Sequence, residues 1–307
     1  MERTKREMLI KVPEVTLIFW IAKLATTCFG EAFSDYIFFN DYIGRTKAIL
    51  MGLALLIVCY AIQMATTRYI PWIYWLAVTA VAIFGTMSAD FLNKNLGMPL
   101  WASTLLLLVL QSAVFIAWYV TEKTLSIHSI TTHRRELFYW LTVLLTFSLG
   151  TAAGDFAAGP LGLGTLASTF VFLGLILVPL VGWKWLRLNA VLAFWVAYTI
   201  TRPLGASFGD FLAVPAPYGD GLQIGTGPIS LASGIVLLGI IAVIDITYRQ
   251  TKKVQQQDAV PATSGLYQGR GAMILKALVL LAVPDPSRSW KTAVMRSPGG
   301  TAGDGSQ

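Results

Sequence analysis

Long apolar stretches separated by short polar links fill residues 15–248, and each is close to the roughly twenty residues a helix needs to cross a bilayer core. The pattern predicts eight helices, at about 15–35, 48–66, 70–90, 99–120, 137–156, 162–182, 188–210 and 227–247. The first and seventh stretches hold basic as well as acidic residues, Lys23, Glu31 and Asp35 in one and Arg202 and Asp210 in the other. A charge inside an apolar helix is costly enough to demand a partner or a function.

The stretches repeat. "FWIAKLATTCFGEAFSD" (19–35), "YWLAVTAVAIFGTMSAD" (74–90), "YWLTVLLTFSLGTAAGD" (139–155) and "FWVAYTITRPLGASFGD" (194–210) align without a gap as [FY]-W-x9-G-x4-D. Each aligned column then holds Trp20, Trp75, Trp140 and Trp195, or Gly30, Gly85, Gly150 and Gly205, or Asp35, Asp90, Asp155 and Asp210. Each unit contains two helices, an even number, so all four units enter in the same direction and are parallel repeats. The predicted units are 15–66, 70–120, 137–182 and 188–247, and the expected fold is an all-α integral membrane protein of about eight transmembrane helices in four parallel pairs. A weaker echo follows each Asp as a Gly-containing turn: "NDYIGRT", "NLGMPLWAST", "LGLGTLAST" and "LQIGTGPIS". Glycine permits the tight turns such links need.

Composition agrees with a membrane protein: 55% of the 307 residues are hydrophobic, 13% are charged, and the mean hydropathy is +0.65. Lys and Arg gather before the first helix, in alternate links and after the eighth helix, which predicts cytoplasmic termini by the positive-inside rule. The net charge of +7 is then explained by topology and by attraction to anionic lipid, and no nucleic-acid partner is expected. The basic start, residues 1–14, is not followed by a short apolar core with a cleavage site, so the first helix is read as the insertion signal. Residues 249–307 turn to Gln, Ser, Gly and Pro and are expected to form a disordered cytoplasmic tail, with "AMILKALVLLAV" at most an interfacial segment. Cys28 and Cys59 lie in apolar runs and read as packing residues, and His128 and His133 in a polar link make a poor ligand pair.

Fifteen residues of helix span about 22 Å, which places Trp toward the inner part of each odd-numbered helix and Asp at its outer end. Near an interface such a Trp is expected to be an anchor. The aspartates allow two readings: caps of solvated turns, or a ring of carboxylates about the pseudo-symmetry axis that concentrates cations or binds a hard divalent ion. Glu31 shares a column with Thr86, Thr151 and Ala206, Lys23 with Val78, Val143 and Tyr198, and Arg202 with Thr27, Ala82 and Phe147. These unrepeated charges fall in the first and last units, which meet if the four units close into a ring. Glu31 and Arg202 are therefore expected to pair across that seam, with Lys23 and Arg202 as intramembrane counter-charges. Thr26, Thr146 and Thr201 share a column and either bond to carbonyls of the preceding turn or line a polar path. Pro203 is expected to kink the seventh helix beside Arg202.

"KVPEVTLIFWIAKLATTCFGEAFSDY", with the later G-T-x-x-G-D-F and L-G-L-G-T elements, resembles a family of bacterial predicted membrane-anchored proteins built from four copies of a repeat of unknown function. The resemblance spans residues 11 to about 248 and implies a multi-pass protein of the bacterial inner membrane, without implying an activity. The residues themselves favour a transporter or channel-like protein for a small solute, preferably a cation, with Asp35, Asp90, Asp155, Asp210 and Glu31 as the site. The alternative is a membrane-anchored regulatory or signalling scaffold. The chain has no HExxH, P-loop or G-x-S-x-G motif, so neither an enzyme nor a cofactor is expected; the metal, if any, and the oligomeric state are left open.

Overall fold

The computed structural model describes residues 10–214 and 220–258. Among them every long element is an α-helix: α1 (Leu17–Phe38), α2 (Arg45–Ala65), α3 (Pro71–Asp90), α4 (Leu100–Glu122), α5 (His133–Ala158), α6 (Gly164–Trp185), α7 (Ala190–Ala213) and α8 (Thr226–Asp258). The helices occupy a compact unit of residues 1–253; of the second unit, 254–307, only the last turn of α8 is described. The expected tail and its apolar segment otherwise lie outside the described residues, as does most of the basic start. Helix α8 runs about ten residues past its expected end.

Local signals set the boundaries. Thr16, Thr132 and Asn189 cap α1, α5 and α7 by accepting bonds from the first-turn amides, and Pro71 occupies the first turn of α3. The four echo turns contain Gly44, Gly97, Gly162 with Gly164, and Gly225, all at positive φ between 67° and 102°. Side chains rarely adopt that region, which explains why each link keeps a glycine there.

Seven of the eight helices are long and apolar enough to cross a membrane. The exception is α7, whose apolar run is interrupted by Thr199, Thr201, Arg202, Pro203, Ser207 and Asp210. It runs through Pro203 as one continuous helix. Burial sorts the helices into two layers: 56–67% of the apolar window is buried in α1, α3 and α5, against 17–28% in α2, α4, α6 and α8. Helices α1, α3, α5 and α7 pack side by side in that order, and α7 closes back on α1. Outside this ring, α2, α4 and α6 each pack mainly on the odd-numbered helix that follows them in sequence, on α3, α5 and α7. Glycines of α8 lie against Tyr36 and Phe29 of α1 and continue the same pattern.

The ring closes through the repeat glycines. A Cβ on Gly30 would lie 2.6 Å from Ala82 Cβ, one on Gly85 2.7 Å from Phe147 Cβ, one on Gly150 2.6 Å from Arg202 Cβ, and one on Gly205 2.5 Å from Thr27 Cβ. Each glycine thus meets the residue three before the glycine of the next unit, and the last meets the first. The missing Cβ lets neighbouring backbones approach, as small residues do between membrane helices.

The tryptophans correct the expectation from sequence. Trp75, Trp140 and Trp195 are buried in the core and only Trp20 is half-buried, so the repeated Trp is a buried packing residue rather than an interfacial anchor. Their neighbours are aromatic: Trp195 packs on Phe115, Trp118, Tyr139 and Tyr198, and its indole N–H donates to the Leu125 carbonyl. Trp near the inner end of a helix satisfies an aromatic core as readily as an interface. At that same end Lys11 Nζ lies 2.7 Å from Glu136 and also donates to the Met64 carbonyl, tying the start of the chain to α2 and α5.

At the opposite end Asp220 caps α6 from a distance, accepting from the Thr165 amide at 2.8 Å and from its hydroxyl. The Thr165 hydroxyl and amide together hold the Asp220 carboxyl below the usual carboxylate range. A depressed folded-state value gives stability that is present at neutral pH and lost as pH falls through that value. We therefore expect Asp220→Asn to lower the thermal midpoint at pH 7, with the gap to wild type shrinking once pH falls below about 4. Equal midpoints at pH 7 would contradict this.

Candidate functional site

Every fourth residue of the odd-numbered helices faces the centre of the ring, so that four helices contribute five levels of four side chains. From the aromatic end outward these are Phe19/Tyr74/Tyr139/Phe194, Lys23/Val78/Val143/Tyr198, Thr27/Ala82/Phe147/Arg202, Glu31/Thr86/Thr151/Ala206 and Asp35/Asp90/Asp155/Asp210. None of the twenty is exposed, and all but Phe194, Asp155 and Asp210 are buried. A step of four residues lies close to one turn of 3.6, which keeps each stripe on one inclined ridge of its helix.

Arg202 of α7 marks the axis because it reaches all three other ring helices. Its Nη2 lies 2.5 Å from Glu31 Oε2 of α1, donates to Thr151 Oγ1 of α5 at 2.7 Å, and donates to the Thr86 hydroxyl of α3. Nη1 donates to the Thr27 carbonyl at 3.3 Å, and the guanidinium lies over the Phe147 ring at 5.3 Å. Three members of one level, Glu31, Thr86 and Thr151, therefore converge on one guanidinium. The expected pairing of Glu31 with Arg202 across the closing seam is present, with both side chains at 3% exposure or less.

Toward the aromatic end, Lys23 is 1% exposed, and its Nζ has no hydrogen-bond partner among the described residues. Its Nζ sits over the Tyr198 ring at 3.8 Å and the Phe147 ring at 4.6 Å, so ring faces replace oxygen ligands around it. Beyond it the Tyr74 and Tyr139 hydroxyls bond to each other at 2.5 Å. With Phe19, Trp75 and Trp195 they belong to one buried aromatic cluster at that end.

Toward the other end the four aspartates come together. Asp35 is within electrostatic reach of Asp90, Asp155, Glu31 and Lys94, and Asp210 of Glu31, Asp35, Asp155 and Lys94. Single carboxylate oxygens of Glu31, Asp35 and Asp210 lie within 4.8 Å of one another. Five carboxylates thus face two cations at this end, Arg202 and Lys94, of which Lys94 Nζ is 2.6 Å from Asp90. A π-helical turn, Phe91–Asn95, carries Lys94 back over Asp90, and its ammonium also lies 4.6 Å from the Phe39 ring centre. Extra-residue turns of this kind are frequent at functional sites.

Four copies of one family, described as Repeat of Unknown Function (DUF347), match residues 18–69, 73–124, 138–189 and 193–250. The chain belongs to the DUF347 repeat family. No curated protein and no solved structure matches it. Each DUF347 copy covers one odd-numbered helix and the outer helix that follows it, which agrees with the two-helix units expected from the spacing of Trp, Gly and Asp.

Of the residues singled out from the repeat, the four Asp, Glu31 and Arg202 meet at one end of the axis and Lys23 lies just behind Arg202. Thr26, Thr146 and Thr201 donate to the carbonyls of Ala22, Thr142 and Ala197, four residues earlier in their own helices. That is the first of their two expected roles. Thr146 also accepts from Gln111 Nε2 of α4 at 3.1 Å. The expected reading missed the parts of Thr86, Thr151, Phe147 and Tyr198 around Lys23 and Arg202, and of Lys94 beside the aspartates. The signal was present: the aromatic, Lys23, Arg202, Glu31 and Asp columns succeed one another at intervals of four, and Lys94 stands four after Asp90.

Proposed function

We propose that this DUF347 protein is a multi-pass membrane protein that takes up small cations into the axis of its four-helix ring and passes them through it, as a transporter or channel-like protein. The carrying observation is the convergence of Asp35, Asp90, Asp155, Asp210 and Glu31 on one end of that axis. Rings of carboxylates at a pore mouth concentrate cations, and ionisable groups inside an apolar bundle mark ion pathways. In this reading both termini are cytoplasmic, as the basic links support by the positive-inside rule, and the carboxylate end faces the extracytoplasmic side of the cell membrane.

In this reading Arg202 is an internal plug. Its guanidinium occupies the axis one level behind Glu31, in the place where an entering cation would next arrive. A cation at the carboxylates competes with Arg202 for Glu31, while Thr86, Thr151 and the Thr27 carbonyl remain to hold the displaced guanidinium. The buried aromatic cluster behind it favours one further reading, a cation-responsive scaffold that binds without transporting.

The test is cation flux into proteoliposomes, comparing wild type with Asp35→Asn, Asp90→Asn, Asp155→Asn and Asp210→Asn. We expect flux to fall at least about tenfold in one or more variants, the loss typical of removing a directly interacting charged group. Flux unchanged in all four removes the carboxylates as the pathway, and absence of flux in the folded wild type leaves the scaffold reading.

A further inference from the structure

We propose that Glu31, Asp35 and Asp210 form a binding site for one hard divalent cation of the Mg²⁺, Mn²⁺ or Ca²⁺ class at the seam between α1 and α7. The assignment rests on the cation reading above for its place in transport, but the binding itself stands on the geometry of these three side chains.

Glu31 and Asp35 are one turn apart on the same face of α1, and Asp210 comes from the neighbouring turn of α7. Gly209 of α7 packs on this part of α1, its Cβ position 3.4 Å from Glu31 Cβ. Oxygens within 4.8 Å of one another surround a point at most about 2.8 Å from each, about 0.2–0.5 Å beyond Ca²⁺ bonds and about 0.7 Å beyond those of Mg²⁺. Small carboxylate rotations close that difference. The donors are all carboxylate oxygens, without sulfur or imidazole, which selects hard cations over Zn²⁺ or Cu²⁺.

A second observation points to a missing ligand. Asp35, one of the three residues, is 9% exposed, and its buried Oδ1 has no hydrogen-bond partner among the described residues. A buried carboxylate oxygen without a donor is costly, and a bound cation removes the cost. The balance of charge agrees: with Asp90 held by Lys94 and Glu31 by Arg202, Asp35, Asp155 and Asp210 remain without an ion-pair partner among the described residues. The site also lies at the only seam where the fourfold pattern is broken by a carboxylate, Glu31, in place of Thr86 or Thr151.

The experiment counts Mn²⁺ bound to the purified full-length protein in detergent by electron paramagnetic resonance, without reference to flux. We expect one saturable Mn²⁺ per chain, displaced by Mg²⁺ or Ca²⁺ but not by K⁺. Affinity should fall at least about tenfold in Asp35→Asn and in Asp210→Asn, the loss expected when a ligand or its direct support is removed, and much less in Asp90→Asn. Gel-filtration profile and tryptophan fluorescence establish that each variant is folded, and Glu31→Gln provides a third ligand variant should one of the others fail. No saturable binding to folded wild type overturns the site, as does an equal loss in Asp90→Asn, which would indicate a diffuse negative field. Mn²⁺ binding without flux overturns the transport reading and keeps the site; flux without Mn²⁺ binding does the reverse.

Discussion

Arg202→Met lowers the stability of the folded protein by about 3–5 kcal/mol, the usual cost of stranding one partner of a buried ion pair. Glu31 is 2% exposed and Arg202 is fully buried, so water does not replace the lost guanidinium. Thr86 and Thr151 hydroxyls remain beside the carboxylate, 3.3 and 3.5 Å from Glu31 Oε2, but each shares its one proton with a carbonyl of its own helix, Thr86 with Ala82 and Thr151 with Phe147. Two neutral hydroxyls with other commitments do not balance a charge. Glu31→Gln strands the cation instead and is also destabilising, although Arg202 keeps the Thr27 carbonyl and both hydroxyls. The double variant Arg202→Met with Glu31→Gln removes both charges and should recover at least half of the Arg202→Met loss. Thermal midpoints in detergent, followed by tryptophan fluorescence, close the double-mutant cycle. Simple additivity of the two single losses would show that the pair is not coupled and would remove Arg202 as the axial plug.

The second large effect is opposite in sign at two glycines that look alike in sequence. Gly205→Ala puts a Cβ 2.5 Å from Thr27 Cβ and 3.4 Å from the Cys28 amide, at the contact that closes the last unit onto the first. Neither neighbour is the flexible tip of a long side chain, so α7 and α1 must separate, at an overpacking cost of about 1–3 kcal/mol. Gly174→Ala, in the outer helix α6, meets nothing within 4 Å and should be neutral or stabilising by up to about 1 kcal/mol through helix propensity. Because Gly205 sits at the seam that carries Glu31 and Arg202, its substitution should also weaken Mn²⁺ binding, whereas Gly174→Ala should not. Equal thermal midpoints for the two variants would show that the ring does not close through these glycines.

Much of this architecture is legible without coordinates. The aligned Trp, Gly and Asp columns identify four two-helix units, and the unrepeated Glu31 and Arg202 point to a pair across the closing seam. The glycine columns indicate close approach, though not which neighbour is approached. Trp was harder to place: a large amphipathic ring near a helix end fits an interface and an aromatic core equally well by sequence, and here the core wins for three of four copies. Lys94 escaped notice because a cation in a polar link ordinarily faces water, whereas the π-helical turn brings this one onto Asp90.

What the sequence by itself determined is the repeat, the helical period and the chemistry of each column, since these depend on local spacing and side-chain type. Tertiary structure decided which face of each helix meets the axis, and hence that residues at intervals of four form stacked levels from four different helices. That information is absent from any single helix, because an apolar helix with polar residues on more than one side has no unique buried face until its neighbours supply one. Thr26 and Thr27 are adjacent and equally buried, yet Thr27 offers its carbonyl to Arg202 while the Thr26 hydroxyl donates to Ala22 within α1. The difference is one step of about 100° around the helix, and only the closure of the ring gives that step a meaning.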